Sequence, residues 1–271
     1  MDLNLILVCV VIVVALFFSY TNGFHDAANA IATSVSTRAW TPRAALLMAA
    51  TMNVIGAMMG TAVAKTVGKG IISISDYAES PLPEMQQKGL VIILAALLGA
   101  CIWNLITWWF GLPSSSSHAL IGGMVGAGLL SGTMVHWWGI MSHVVIPMFA
   151  SPIIGFVIGY FVMKLVLWLL RNAQYHRTMR RFRAAQRFSS AAMALGHGIQ
   201  DAQKTMGIIV MALLAGGYGE THNILDPITG EMNVPLWVKI SGALAISLGT
   251  MAGGGRIMRT IGRKIIDLDP A

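Results

Sequence analysis

The chain has 271 residues, of which 56% are hydrophobic and 11% charged, with a formal net charge of +7. Soluble domains carry roughly 25% charged residues, so this composition excludes a soluble enzyme or soluble binding module and indicates an all-α, polytopic membrane protein. The positive excess sits in short Arg clusters beside apolar stretches, where it sets orientation in the bilayer and gives no ground for nucleic acid as a partner.

About 20 apolar residues cross a hydrocarbon layer of roughly 30 Å. On that measure the predicted spans are 3–36, 44–64, 90–110, 118–134, 144–170, 190–216 and 236–254. The N-terminus lacks a basic n-region and a small-residue cleavage site, so it is read as the first span and not as a removed signal. That span is too long for one straight crossing. Thr21-Asn22-Gly23 is predicted to break it, leaving a second half-helix that carries Asp26 and Asn29, with the break facing protein or a water-filled cavity. Cys9 and Cys101 fall inside apolar runs and read as packing residues rather than a disulfide.

Orientation follows from Lys and Arg in the connections. Residues 171–187 hold six Arg and no acid, Arg38 and Arg43 follow the first span, and Arg256 to Lys264 adds four basic residues, so these segments are placed in the cytoplasm. The 65–89 connection balances its charges, and 218–235 carries Glu220, Asp226 and Glu231 without Lys or Arg, so both are placed outside. Successive crossings alternate in agreement with every one of these assignments.

Within this frame one polar stretch has an echo. Asn22-Gly23-Phe24-His25-Asp26-Ala27-Ala28-Asn29 is matched by Gly196-His197-Gly198-Ile199-Gln200-Asp201-Ala202-Gln203-Lys204-Thr205, Gly23 falling on Gly198 and Asp26 on Asp201. The first copy enters from outside and the second from the cytoplasm. Internal similarity with opposed topology is the pattern of an inverted-repeat transporter whose site lies where the two halves meet. The predicted organisation is a first repeat over 1–170, a basic cytoplasmic linker over 171–187 and the start of a second repeat over 188–271.

Asp26, Asp201 and Lys204 are the charges placed well inside spans. An acid at mid-bilayer costs at least about 2.5–3.5 kcal/mol on insertion scales, so it is paired, ion-coordinating or proton-carrying. Asp201 has Lys204 three residues on as an in-helix partner, and Asp26 has Asn29 and Ser34; neither pairing explains why the same acid recurs at matched positions. The run Pro113-Ser114-Ser115-Ser116-Ser117-His118 opens an apolar helix, offering hydroxyls and free backbone N–H groups at the positive end of a helix dipole. An ordinary N-cap needs one hydroxyl, and four in succession suit an anion. His25, His118 and His197 adjoin these motifs, either as hydrogen-bonded structural residues or as groups for proton coupling or metal contact. Gly56, Gly60, Gly122 and Gly126 are read as positions of close helix packing.

These motifs, together with Ile246-Ser247-Leu248-Gly249-Thr250 and Gly253-Gly254-Gly255-Arg256, resemble the inorganic phosphate transporter (Pit) family, in order and over nearly the whole chain. The resemblance implies a secondary transporter of inorganic phosphate. The Gly-Phe-His-Asp variant is similar to bacterial low-affinity members, which implies proton symport, with phosphate carried as such or as a divalent metal-phosphate complex; sodium coupling, used by other members, stays open. Carried onto this chain, Asp26 and Asp201 are the acids for the coupling ion, with His25, Asn22 and Gln200 beside them. Ser114, Ser115, Ser116, Ser117, Asn29, Gln203, Lys204 and Thr205 line the phosphate path. No catalytic residue, resident metal or cofactor is implied.

The family carries a second Ser/Thr–His motif in its C-terminal half. The interval from Asp26 to His118, laid off from Asp201, runs past Ala271, so the second repeat reads as truncated, and these residues by themselves are expected not to transport unless a homodimer supplies the missing wall. An intramembrane protease is the rival enzyme reading. No Gly-x-Gly-Asp precedes either acid and no Gly-x-Ser-x-Gly surrounds the serines, which argues against it. A permease or channel for another oxyanion such as sulfate shares the same anion chemistry.

Overall fold

The computed structural model describes residues 3–60, 77, 80, 82–219, 221–222, 224, 233–252 and 254–261. The described residues form helices and no strand: α1 (Leu3–Ser36), α2 (Pro42–Met58), α3 (Pro83–Phe110), α4 (Ser116–Ser131), α5 (Trp137–Leu170), α6 (Tyr175–Ala215), α7 (Leu236–Ala252) and a short α8 (Gly255–Thr260). The described part of each predicted span falls on one of these helices, residues 61–64 and 253 lying outside the described residues. Of them, α1, α3 and α5 are long and apolar enough to cross a membrane, and α7 is a shorter apolar helix. Most of the charge-balanced connection at 65–89 and the acidic one at 218–235, and the end of the basic cluster from 262 onward, lie outside the described residues.

Local chemistry sets the helix ends. Arg38 takes a left-handed φ of 58° after α1, and the N–H groups of Ala39 and Trp40 fold back to the Ser34 carbonyl. Thr41 then caps α2, whose first turn begins at Pro42, where a missing N–H costs nothing. Gly111 at φ 68° closes α3 and Gly132 at φ 71° closes α4, the left-handed C-terminal cap that glycine permits. In α5 a π-helical turn at Met141–Val145 precedes Pro147, consistent with a ladder that must give up a donor at the proline.

The predicted break at Thr21-Asn22-Gly23 is corrected: α1 runs unbroken through it. Thr21 Oγ1 donates 2.8 Å to the Phe18 carbonyl, and the backbone ladder satisfies itself, so no gap is needed. Gly23 serves close approach, since a Cβ there would collide with the Ile246 carbonyl of α7, and reciprocally a Cβ at Gly249 would collide with the Tyr20 carbonyl. The same device joins α2 to α6, with Gly56 against Leu195 and Gly198 against Asn53. Gly122 and Gly126 have nothing within 4 Å; Gly123, against Ala96 of α3, does the packing expected of them.

Most of the basic segment 171–187 is helical. From Tyr175 it is the first part of α6, a single 41-residue helix that also carries Asp201. At 1.5 Å per residue α6 is about 60 Å long, twice a hydrocarbon core, so its basic end projects beyond the apolar region.

Contacts along α1 and α6 fix their relative direction. Thr37 bonds Gln186, Asp26 meets His197 and Asp201, and Gly216 abuts Val8. The two helices are therefore antiparallel, with their Asp motifs level. By contrast α7 runs parallel to α1, Ser19 reaching Gly242 and Thr250 reaching Gly23. One apolar core from α1, α3, α6 and α7 holds this arrangement around Phe18, Leu97, Met206, Ile209 and Ile246. No residue of α5 is buried.

Candidate functional site

The level Asp motifs and the serine run line one open cavity of about 500 Å³. From α1 come Asp26, Asn29 and Ala30; from the α3–α4 connection Pro113, Ser114, Ser115 and Ser117; and from α6 Met193, His197, Gln200, Asp201 and Lys204. Asp26 and Asp201 are 9% and 8% exposed, so each carboxylate needs a partner to remain ionised. A carboxylate oxygen of each and a ring nitrogen of His197 all lie within 4.8 Å of one another.

Partners surround both acids. Lys204 Nζ contacts Asp201 Oδ1 and also the Ser117 hydroxyl, tying α6 to the first turn of α4. His197 Nε2 lies 3.1 Å from Asp201 Oδ2. The orientation of that ring is set from behind: Asn53 Nδ2 donates 2.7 Å to Thr250 Oγ1, leaving Asn53 Oδ1 to accept from His197 Nδ1 at 3.0 Å. Nδ1 thus carries a proton and Nε2 is the nitrogen presented to Asp201. On the other side, His25 Nδ1 lies 3.2 Å from Asp26 Oδ1, and its Nε2 lies 2.9 Å from Thr107 Oγ1.

The four serines have four distinct settings. Ser114 Oγ donates to Thr107 Oγ1 at 3.2 Å. Ser115 caps α4 by accepting from the His118 N–H at 3.3 Å. Ser117 holds Lys204. The Ser116 hydroxyl is buried and has no hydrogen-bond partner among the described residues. The first-turn N–H groups of Ser116 and Ser117 have no intrahelical acceptor, as in any α-helix. Capping therefore uses one serine, and the run supplies hydroxyls and amides beyond what the cap consumes.

Of the residues expected at the site, Asp26, Asn29, Ser114, Ser115, Ser117, Gln200, Asp201 and Lys204 line the cavity. His25, Asn22, Ser116, Gln203 and Thr205 do not; all five are buried. His25 stands behind Asp26, and the amide oxygen of Asn22 and hydroxyl of Thr205 are without hydrogen-bond partners among the described residues. The sequence left His197 open between a structural role and proton coupling or metal contact; its four-residue spacing to Asp201 on one helix was the signal that places it at the site. Asn53 and Thr107 carried no motif, and only packing brings them to the two histidines.

Residues 22–271 match the sequence model of the phosphate transporter family. The chain belongs to that family. It is 56% identical over 198 residues to a Streptomyces halstedii protein named "probable low-affinity inorganic phosphate transporter", covering 73% of this chain and 89% of that one. Proteins of the same name are 42% identical in Bacillus subtilis and 40% identical in Mycobacterium tuberculosis over the whole of this chain, which spans 76% and 61% of their lengths. The fold is similar to a solved structure titled "The sodium-dependent phosphate transporter", with a TM-score of 0.79 and 23% identity, covering 97% of this chain and 80% of that one. Family membership makes the protein a transporter and not an enzyme, and sets the apolar helices in a membrane.

Proposed function

We propose that the protein is a multi-pass symporter of inorganic phosphate in the cytoplasmic membrane, coupled to protons and accepting phosphate as such or with a divalent metal as co-substrate. The observation that carries this reading is the single cavity holding two carboxylates, Lys204 and the serine run. Lys204, the serine hydroxyls and the first amides of α4 suit phosphate oxygens. Asp26 and Asp201 repel them. A proton or cation on the carboxylates removes that repulsion, so each ligand raises the affinity for the other. His25 and His197, each facing one of the acids, are suited to hold such a proton.

The antiparallel α1 and α6 supply the moving parts of this proposal, as two opposed repeats, 1–170 and 188–271, that exchange access around a common site. Sodium is the second reading, favoured by the carboxylate, amide and hydroxyl oxygens that Asp26, Asp201, Asn29 and Ser114 offer in one cavity, a donor set that suits a hard cation. Uptake of labelled phosphate into vesicles carrying the full-length protein, with a pH gradient, a sodium gradient or neither, and with and without divalent metal, separates these cases. Proton symport requires uptake driven by an inward proton gradient; uptake indifferent to every gradient refutes symport, and preference for sulfate assigns another substrate.

A further inference from the structure

A second cavity, of about 400 Å³, lies far from the acids in the crook where α5 ends and α6 begins. It is lined by Arg177 and Arg181, by Gln174 and Thr178, and by an apolar floor that includes Leu170 and Phe182. Arg177 and Arg181 are four residues apart on α6 and so share one face. Both are exposed, and neither has an ion-pair partner among the described residues.

Its surroundings identify what it would take. Trp168, 63% exposed, and Tyr175, 62% exposed, flank the crook and mark the headgroup level of a bilayer, where such rings concentrate. Above them α5 is apolar and has no buried residue, a face along which lipid chains can lie. We infer that the α5–α6 crook is a binding site for an anionic phospholipid, its phosphate held by Arg177 and Arg181 and its acyl chains lying along α5. Two guanidiniums in fork geometry match a phosphodiester, and basic residues at this depth favour anionic lipids. An unstructured basic loop would offer charge alone; here the helical register and the apolar floor make a concave site. The inference is independent of the transport reading.

The test uses the purified full chain in detergent, with phosphatidylglycerol and phosphatidylcholine as probes and bound lipid counted by native mass spectrometry. Phosphatidylglycerol should bind in preference, and the Arg177→Gln/Arg181→Gln pair should weaken it on the order of ten-fold or more. Arg180→Gln/Arg183→Gln removes the same charge off the cavity and should leave binding within about two-fold. The conservative Arg177→Lys/Arg181→Lys pair should keep part of the preference, and thermal melts report that each variant is folded. Equal loss in both Gln pairs would show diffuse charge attraction and overturn the site. Equal binding of the two lipids would also overturn it, as would displacement of the lipid by millimolar inorganic phosphate, which would make the crook a free-phosphate site.

Discussion

Asp26 and Asp201, 175 positions apart in sequence, bring carboxylate oxygens within 4.8 Å of each other across the antiparallel α1 and α6. Two acids this close and this buried cannot both stay ionised without a proton, a cation or a donor between them. Lys204 and His197 serve Asp201, while Asp26 lies against His25 and in reach of the same His197.

Asp26→Asn and Asp201→Asn should each abolish gradient-driven phosphate uptake while leaving an inserted, folded protein, because the amide keeps the volume and removes the charge. Vesicle uptake alongside a thermal melt checks this. Normal transport by both variants in folded form would make the acids structural.

Lys204→Met should be the more damaging change to stability. It strips Asp201 of its ammonium partner and Ser117 of its contact with α6, a loss on the order of 3 kcal/mol if no other cation moves in. A melt should show it. Phosphate affinity should fall at least ten-fold in substrate titrations, and Lys204→Arg should restore part of it.

Asn53→Leu should act at a distance from the cavity wall. The variant leaves His197 Nδ1 without its acceptor, at a cost of about 1–3 kcal/mol, and frees the ring to present either nitrogen to Asp201. The pH profile of uptake should change shape while membrane insertion stays normal. An unchanged profile would mean that the Thr250–Asn53–His197 chain holds the fold and nothing more.

Packing offers a paired test. Gly23→Ala forces a Cβ into the Ile246 carbonyl and should destabilise by about 1–3 kcal/mol. Gly122→Ala meets open space and should be neutral or stabilising by up to about 1 kcal/mol. Equal melting shifts for the two would refute the close approach of α1 and α7.

Composition, span length and the recurrence of Gly-x-x-Asp determined the helical class, the order of the helices and the pair of acids, because each is a local or periodic property that a single chain of sequence displays; the family was legible only through the resemblance of its motifs taken in order. The serine run likewise announced itself, since hydroxyls at a helix start have few other uses. Contacts between distant helices decided the rest. Whether Asn22-Gly23 interrupts α1 depended on α7: a glycine beside a polar residue reads the same in a break and in a close crossing, and only the Ile246 carbonyl packed against it distinguishes them. Gly122 and Gly123 are adjacent and identical in type, and helix rotation alone chose which one packs against Ala96. His197 became the third member of the acid cluster because Asn53 turned its ring, a dependence between residues 144 positions apart that no spacing rule encodes. Gln203 left the cavity because, on a 3.6-residue helix, the face that presents Asp201 and Lys204 turns it to the opposite side; Thr205, four residues after Asp201 and on its face, is buried in the packing.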